Sequence, residues 1–284
     1  MGIGKIVAII LTRDEEMHIE RALSSLKGKV DQVHVIDSLS TDQTITKAES
    51  AGAITHQHPW VSYADQVNWA LSVLPHDIDW VLRLDADEYL HPEADIKAEL
   101  LRLTQHDPDL SGVLCLRSMV FMGHQLRFGG MSKKPVLRLF KKDKAKCADR
   151  LVDEHMTVDG NIQSSQIELI DHCLKGIGFW IEKHNKYARL EAEEYHRNLD
   201  RQCLPSESAA GSDAVQSQSR KRGLYYSLPS FLRPLAYFTL RYLVLGGFLD
   251  GRAGFYYSFL QAYWYRSLVE INIREKRDQS KGKM

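Results

Sequence analysis

The sequence predicts an α/β fold with a mostly parallel central sheet that is covered by helices on both faces. Apolar runs alternate with amphipathic segments over residues 6–84, which gives the order βαβαβαβ. The runs are continuous rather than alternating, as in Ile6–Leu11, and this is typical of parallel strands buried on both faces. Connections between such strands are right-handed. With 44% hydrophobic and 26% charged residues, the 284-residue chain is expected to form a core of ordinary size.

The first predicted strand, Ile6–Leu11, is followed by a capping box, Thr12-x-x-Glu15. In a capping box the two side chains bind the free N–H groups at a helix start, so we expect a helix with apolar positions from Met17 to Leu26. The other predicted elements are, in chain order, strand Gln32–Ile36, helix Thr44–Ser50, strand Ala53–His56, helix Tyr63–Leu74, strand Trp80–Leu84, helix Glu93–Gln105, strand Gly112–Val120 and helix Leu190–Arg201.

Composition and motifs exclude several classes of protein. The net charge of +0 argues against a basic face for nucleic acid, so no nucleic-acid partner is expected. The four cysteines form no C-x-x-C pair, which indicates reduced thiols rather than a disulfide framework or a zinc site. The run Ile6–Leu11 is too short for a signal peptide. No G-x-G-x-x-G follows the first strand and no P-loop is present, so a nucleotide site would have to be built from acids and a metal.

Carboxylates follow two of the predicted strands. Asp85, Asp87 and Glu88 follow Trp80–Leu84, and Asp37 follows the second strand. Because parallel strands end at one edge of a sheet, we expect Asp37, Asp85 and Asp87 to face one crevice, where open α/β folds bind their ligands. Carboxylate oxygens suit Mg²⁺ or Mn²⁺, and these ions commonly hold substrate phosphates. The alternative is that each Asp caps the helix that follows it.

Four segments of the N-terminal half resemble the family 2 inverting glycosyltransferases, which have the GT-A nucleotide-diphospho-sugar transferase fold. The resemblance covers roughly residues 5–160 with specific motifs and 175–270 more loosely. It is strongest to the branch that adds hexoses to the lipopolysaccharide inner core and to related surface polysaccharides. Asp14 stands where the family usually has Asn. The four segments are Thr12–Glu16, Val35–Thr44, Trp60–Asn68 and Asp79–Glu88.

The resemblance implies a UDP-sugar as the donor substrate and Mg²⁺ or Mn²⁺ as the cofactor. Asp87 would ligate the metal on the diphosphate, whereas Glu88 has no family role. The residues implied at the nucleotide are Asp37 on the uridine with Thr12 and Glu16 nearby, and Asp85 on the ribose side with Ala86 beside it.

Three further side chains are placed at the donor by the same resemblance. Gln66 and Asn68 would line the donor pocket, and the alternative for both is an exposed polar position on a helix. Arg138 lies in Lys134–Phe140, which is similar to the Arg-Leu-Phe segment of the family, and it would contact donor phosphate. The alternative for Arg138 is the solvated face of a strand.

An inverting transfer needs a general base, because the acceptor hydroxyl loses its proton as it attacks the anomeric carbon. Burial or a neighbouring acid can raise the pKa of a carboxylate in this role. Asp153, Glu154 and His155 are adjacent candidates. Similarity to the His-Glu segment of the family places Glu154 at the base position, and Asp153 is its rival because it replaces the usual His. The alternative is a solvated surface patch, and a zinc site built from histidines is not expected.

The chain is expected to divide into a catalytic domain at 1–180, a helix and flexible linker at 181–222, and an amphipathic helical tail at 223–284. Residues 225–265 hold 14 of the 26 aromatic residues, and residues 221–284 carry eleven Lys/Arg against four Asp/Glu. The longest uncharged run, residues 253–265, is shorter than the ~20 residues that span a bilayer. These features predict helices in peripheral contact with a membrane, joined by a turn at Gly246–Gly251. The alternative is a pair of core helices that pack on the catalytic domain or at a homodimer interface.

The sequence therefore predicts a metal-dependent inverting glycosyltransferase. It would move a hexose from a UDP-sugar to a lipid-linked, lipopolysaccharide or polysaccharide acceptor. We expect it to be cytoplasmic and peripheral at the inner face of the cytoplasmic membrane. Two alternatives stay open, namely a catalytically inactive binding or scaffold protein of the same fold, and a sugar transferase that acts on polyprenyl phosphate.

Overall fold

A computed structural model describes residues 3–148, 155–202 and 228–280 of the chain. These residues form two compact units. The first unit comprises Met1–Gln125 and Met131–Lys175, and the second comprises Leu126–Gly130 and Gly176–Met284. The predicted linker at residues 203–222 lies outside the described residues.

The first unit contains the strands and the first four helices. Its strands are β1 (Ile6–Thr12), β2 (Gln32–Asp37), β3 (Ile54–Gln57), β4 (Trp80–Asp85), β5 (Glu88–Leu90), β6 (Leu110–Phe121), β7 (His124–Leu126, whose last residue belongs to the second unit), β8 (Lys134–Lys141), β9 (Ala145–Ala148), β10 (His155–Val158) and β11 (Asn161–Asp171). Its helices are α1 (Ile19–Leu26), α2 (Thr44–Ser50), α3 (Tyr63–Val73) and α4 (Ile96–His106).

One mixed sheet organises this unit, with the strand order β3-β2-β1-β4-β8-β6-β11-β5 and β7 paired to β6. β1, β2, β3 and β4 are parallel, which confirms the predicted βαβαβαβ half. Beyond β4 the sheet departs from the parallel pattern, because β8 runs antiparallel to both β4 and β6. β9 and β10 form a separate two-stranded hairpin.

Alternating side chains of the central strands face two layers of helices. Ile6, Ala8 and Ile10 belong to one core cluster together with residues of α1 and α4. Val7 and Ile9 belong to a second cluster together with residues of α3. Helices therefore cover both faces of the sheet, as predicted from the continuous apolar runs.

The register of β1 places the acid-bearing strand ends side by side. Thr12 pairs with Asp37 of β2, and Leu11 pairs with Asp85 of β4. The predicted common edge for Asp37 and Asp85 is thus confirmed. Because these strands are parallel, the loops that follow them all leave the sheet at this edge.

The predicted capping box at Thr12 and Glu15 is wrong. Thr12 is the last residue of β1, and its hydroxyl donates to Asp37 at 2.9 Å. α1 begins only at Ile19, and the side chain of its N-cap residue His18 makes no capping bond. Pairing with β2 extends β1 through Thr12, so the loop 13–18 separates the strand from the helix.

The second unit is helical and rich in aromatic residues. Its α-helices are α5 (Gly176–Gln202), α6 (Arg233–Thr239), α7 (Gly251–Ser258) and α8 (Tyr265–Ser280). π-Helical turns at Leu240–Val244 and Phe259–Trp264 and a 3₁₀ turn at Gly247–Asp250 lie between them. α5 packs on α8 through a cluster that includes Ala188, Ala192, Val269 and Ile273.

The turn predicted at Gly246–Gly251 is confirmed, with Gly246 in the left-handed region at φ 72°. The predicted helix at Leu190–Arg201 is the C-terminal part of the longer α5. Among the described residues, no helix has both the length and the apolar character needed to cross a bilayer.

Candidate functional site

Asp37 lies at the end of β2, where its carboxylate is completely buried. It accepts hydrogen bonds from the Thr12 hydroxyl at 2.9 Å, from the Ser40 backbone N–H at 2.7 Å and from the Ser40 hydroxyl at 2.5 Å. Both carboxylate oxygens therefore have protein donors. In this structure Asp37 fixes the ends of β1 and β2 and the loop that follows β2, and its side chain does not reach the surface.

Reciprocal hydrogen bonds join the loop after β1 to the loop after β2. The Asp14 carboxylate accepts from the Thr41 N–H at 2.8 Å, and the Asp14 N–H donates to the Ser40 hydroxyl at 2.8 Å. The Glu16 carboxylate accepts from the Gln43 N–H at 3.1 Å, and the Glu16 N–H donates to Asp42 at 3.1 Å. The predicted residues Thr12, Glu16 and Asp37 are thus brought together as one frame. Asp14, whose place is usually Asn in the resembling family, provides one of its links.

Both joined loops contain a non-glycine residue in the left-handed region, with Asp14 at φ 53° and Leu39 at φ 61°. This conformation costs an L-residue with a Cβ atom roughly 1–2 kcal/mol. The Asp14 side chain compensates by bonding Thr41. Leu39 exposes 51% of its surface. Such strained residues cluster at ligand sites, where the surrounding structure holds them in place.

Asp85 lies at the end of β4, and its carboxylate is held by one hydroxyl and two arginine side chains. Its Oδ1 accepts from the Tyr63 hydroxyl at 3.1 Å and from Arg83 at 3.2 Å. Its Oδ2 accepts from Arg138 at 2.6 Å. The side chain of Asp85 nevertheless remains 30% exposed. Asp85 is therefore both charge-compensated and accessible, which distinguishes it from Asp37.

Arg138 is buried, with 4% of its side chain exposed, so the alternative of a solvated strand face is wrong. The same Nη2 atom that binds Asp85 also donates to Glu88 at 2.6 Å. The side chain of Arg138 therefore bridges two carboxylates. A direct contact between Arg138 and donor phosphate stays a prediction.

Glu88 was expected to have no part in the site, yet it is almost fully buried against Asp85. Burial raises the pKa of the Glu88 carboxyl well above its usual range, and the negative charges of Asp85 and Asp171 act in the same direction. Its two oxygens accept from Arg138 and, at 3.3 Å, from the Asp85 N–H. These donors favour the ionised form against that burial. Sequence reasoning missed Glu88 because its partner Arg138 lies 50 residues away.

The peptide of Asp87 is fixed by two other elements of the first unit. Its carbonyl oxygen accepts from the His172 N–H at 3.0 Å, next to the end of β11, and from Arg21 of α1 at 3.3 Å. Arg21 also donates to the His172 carbonyl at 2.5 Å and lies 4.7 Å from the centre of the Tyr89 ring. The neighbouring Ala86 is buried. The Asp85–Asp87 turn is therefore held at both ends.

The carboxylates of this turn can be compared with the set of ligands that a divalent metal needs. Within the described ranges, no three or more His, Cys, Asp or Glu side chains are grouped to hold a metal by themselves. Asp85 already has three hydrogen-bond donors. A cation bound at this turn would take one carboxylate from Asp87 and its other ligands from water and substrate phosphate, as Mg²⁺ commonly does, and this role of Asp87 stays a prediction.

Gln66 and Asn68 have structural partners. Gln66 is fully buried and donates to the carbonyls of His58 at 2.9 Å and Pro59 at 3.0 Å, so the alternative of an exposed position is wrong for it. Asn68 makes a two-point bond to the Cys147 backbone, donating at 3.0 Å and accepting at 2.9 Å. Gln66 thus holds the loop after β3, and Asn68 anchors β9.

Asp153 and Glu154 lie outside the described residues. The chain enters this segment from β9 and returns into β10, and the two strands pair with Ala148 opposite His155. The strand that precedes this segment, β9, is anchored by Asn68.

Comparison with known proteins finds a family that matches part of the chain. Residues 7–147 match the model of glycosyl transferase family 2. An uncharacterized glycosyltransferase of Rickettsia bellii is 41% identical over 102 residues, which are 36% of this chain and 34% of that protein. An uncharacterized glycosyltransferase of Rickettsia typhi is 28% identical over 96% of this chain and 89% of that one. The chain spans about a third of the length of the first curated relatives it matches, which include the Rickettsia bellii protein.

A solved structure is also similar in part. Glucosyl-3-phosphoglycerate synthase from Mycobacterium tuberculosis, crystallised with Mn²⁺, UDP and glucosyl-3-phosphoglycerate, gives a TM-score of 0.34 at 21% identity, over 40% of this chain and 44% of that one. The family match and the mixed sheet with helices on both faces confirm the predicted GT-A fold, with the aromatic-rich helical appendage of the second unit.

Proposed function

We propose that this protein, whose residues 7–147 match the glycosyl transferase family 2 model, is an inverting hexosyltransferase that uses a UDP-sugar. Its acceptor would be a hydroxyl of a lipid-linked saccharide, lipopolysaccharide or polysaccharide. The observation that carries the proposal is the shared edge of β1, β2 and β4, where the rigid Asp37 frame adjoins the accessible, charge-compensated Asp85. A frame of hydrogen bonds beside a partly exposed carboxylate suits a nucleoside attached to a metal-bound diphosphate.

Each part of this edge has a separate task in the proposal. The frame of Asp37, Thr12 and Glu16 would shape the uridine side of the site. Asp85, oriented by Tyr63 and Arg138, would hold the ribose side.

Asp87, oriented through its peptide by Arg21 and His172, would ligate Mg²⁺ or Mn²⁺. The cation would supply positive charge to the diphosphate that leaves.

The transfer itself would be a single displacement. The acceptor oxygen forms a bond to the anomeric carbon while the bond to the UDP oxygen breaks, and UDP leaves with the electron pair. The hydroxyl proton passes to a carboxylate, which we assign to Glu154, with Asp153 as the rival. Asn68 would help to place this carboxylate, since it anchors the strand that leads into the segment.

Release of UDP from a panel of UDP-hexoses, measured with and without Mn²⁺, tests this function. We expect Asp87→Ala to lower turnover by about 10²-fold or more, because removal of a group that stabilises developing charge in the transition state commonly has an effect of that size. Asp159→Ala is the matched control, because Asp159 is 87% exposed on the β10–β11 turn. Wild-type turnover in Asp87→Ala would contradict the metal assignment. Protection from thermal unfolding by UDP-sugars without any UDP release would instead indicate the inactive binding protein.

A further inference from the structure

The second unit exposes a compact apolar surface at its glycine turn, which we name the tip patch. It consists of residues 243–245 on one side of Gly246 and residues 248–249 on the other. All five side chains are large and apolar, and between 46% and 71% of each is exposed. They are Leu243, Val244, Leu245, Phe248 and Leu249. Scattered single apolar residues on a surface are ordinary, but a contiguous set of this size marks an interaction site.

The backbone beneath the tip patch is held firmly within the second unit. The Asp250 carboxylate accepts from the N–H groups of Arg127 at 3.0 Å and Phe128 at 2.9 Å. The Gly129 N–H donates to the Leu245 carbonyl at 2.9 Å, and Arg241 donates to the Gly129 carbonyl at 2.8 Å. The exposed side chains therefore project from a fixed turn.

Gly254 permits close packing at the base of this turn. A Cβ atom at Gly254 would lie 2.1 Å from the carbonyl oxygen of Gly247. No residue with a side chain fits there without moving the turn.

The border of the tip patch is aromatic and cationic. A pocket of about 390 Å³ beside it is lined by Tyr242, Phe248, Gly251, Arg252, Phe255 and Tyr256. Arg252 is exposed, and its guanidinium makes no hydrogen bond or ion pair with any residue that the structure describes. The one acid between residues 228 and 269 is Asp250, which is buried and bound to Arg127 and Phe128.

This chemistry suits an anionic lipid surface better than a protein. Protein interfaces carry about one hydrogen bond per 100–200 Å², and the five side chains of the tip patch offer none. A second copy of this chain would bring two Arg252-bearing surfaces together with no acid to pair them. Aliphatic side chains that project beyond a border of Tyr, Phe and Arg match instead the order of layers in a bilayer, from acyl chains to headgroups.

We propose that the tip patch inserts into the interfacial layer of an anionic phospholipid membrane, with Arg252 on a lipid phosphate. The proposal rests on the proposed function in one respect, since a lipid-linked acceptor would be found at such a surface. Its test needs neither donor nor acceptor, so failure of lipid binding and failure of sugar transfer are separate results.

The test is co-sedimentation of the full chain with phosphatidylcholine vesicles, with and without phosphatidylglycerol. We expect the wild type to bind the vesicles that contain phosphatidylglycerol, less so as salt is added. The double variant Leu243→Ser/Val244→Ser should bind at least about tenfold less, because two apolar side chains no longer leave water. Arg252→Gln should lose about fivefold on phosphatidylglycerol vesicles and little on phosphatidylcholine alone.

Leu101→Ser is the matched control, because Leu101 is an apolar residue of α4 with a similar exposure of 42%. Unchanged thermal unfolding in all variants would show that they are folded. The proposal is overturned if the wild type does not sediment with vesicles, if the tip variants bind like the wild type, or if Leu101→Ser loses as much. It is also overturned if sedimentation velocity shows a dimer that the tip variants dissociate, since the patch then receives a second copy.

Discussion

Asp37 and Asp85 occupy equivalent places at the ends of neighbouring parallel strands, yet their surroundings differ. Asp37 is completely buried, and its donors are two hydroxyls and one backbone N–H. Asp85 is partly exposed, and two of its three donors are arginines. The neutral donors around the buried Asp37 hold the ends of two strands and the following loop together. Cationic donors around an exposed acid make a site whose charge is balanced before a ligand arrives, and this difference separates framework from binding surface.

Arg138→Met gives the largest effect expected from this comparison. It would leave Glu88 buried beside Asp85 without the bridging cation, so we expect a loss of about 3–5 kcal/mol in the free energy of unfolding, measured by urea denaturation. The double variant Arg138→Met/Glu88→Gln should recover part of the loss, because the buried carboxylate that lost its 2.6 Å bond to Arg138 is gone. A loss of less than about 1 kcal/mol would show that the bridge is not required.

His34 lies in β2, the strand that ends at Asp37, and its lowered pKa predicts that the free energy of unfolding depends on pH. Burial lowers the pKa of His34 from 6.5 to about 4, and the charges of His56 and Lys5 act in the same direction. The unfolded chain then takes up a proton below pH 6.5 that the folded chain takes up only near pH 4, so stability falls as the pH drops through that interval. The full effect would approach about 3 kcal/mol.

Urea denaturation between pH 7 and pH 4 measures this effect. His34→Gln should make the profile less steep, because it removes one of two buried histidines, with His184, whose pKa the fold lowers to about 4. A wild-type profile already flat in that interval would contradict the assignment.

Asp37→Asn sharpens the contrast between the two acids. The amide nitrogen cannot accept, so Asn loses either the bond from the Ser40 N–H to Oδ2 or the bonds from the Thr12 and Ser40 hydroxyls to Oδ1, and we expect a loss of about 1–3 kcal/mol in stability. Asp85→Asn should affect UDP release more than stability, because its side chain is partly exposed. Thermal unfolding and UDP release measured on both variants would reveal the two patterns, and identical patterns would remove the distinction.

The smallest expected effect concerns the two left-handed residues of the frame. Leu39→Gly should raise stability by up to about 1 kcal/mol, since glycine adopts φ 61° without strain. Asp14→Gly should instead lower stability, because its carboxylate bonds Thr41. Chemical denaturation of the pair tests the sign, and a loss in Leu39→Gly would mean that its exposed side chain contributes packing.

Part of the site was predictable because it depends on strand order alone. Mostly apolar runs that end in Asp37 and Asp85 predict buried parallel strands, and parallel strands end at one edge. The roles of Thr12, Gln66 and Asn68 were not predictable from local patterns. Thr12 pairs with β2 as the last residue of β1 and therefore does not cap a helix. The side-chain amides of Gln66 and Asn68 bind backbone groups rather than facing outward.

The sequence by itself determined the βαβαβαβ succession of the N-terminal half, the common edge of Asp37 and Asp85, the glycine turn and the aromatic, basic character of the C-terminal unit. Only the tertiary structure decided which acid is buried and which is charge-compensated. Arg138 donates to Asp85 from 53 residues further along the chain. The N–H of Arg127 donates to the carboxylate of Asp250, which is 123 residues further along. The physical reason is that local periodicity reports which face of an element is apolar, whereas the partner of a polar group depends on which distant strands and helices become neighbours.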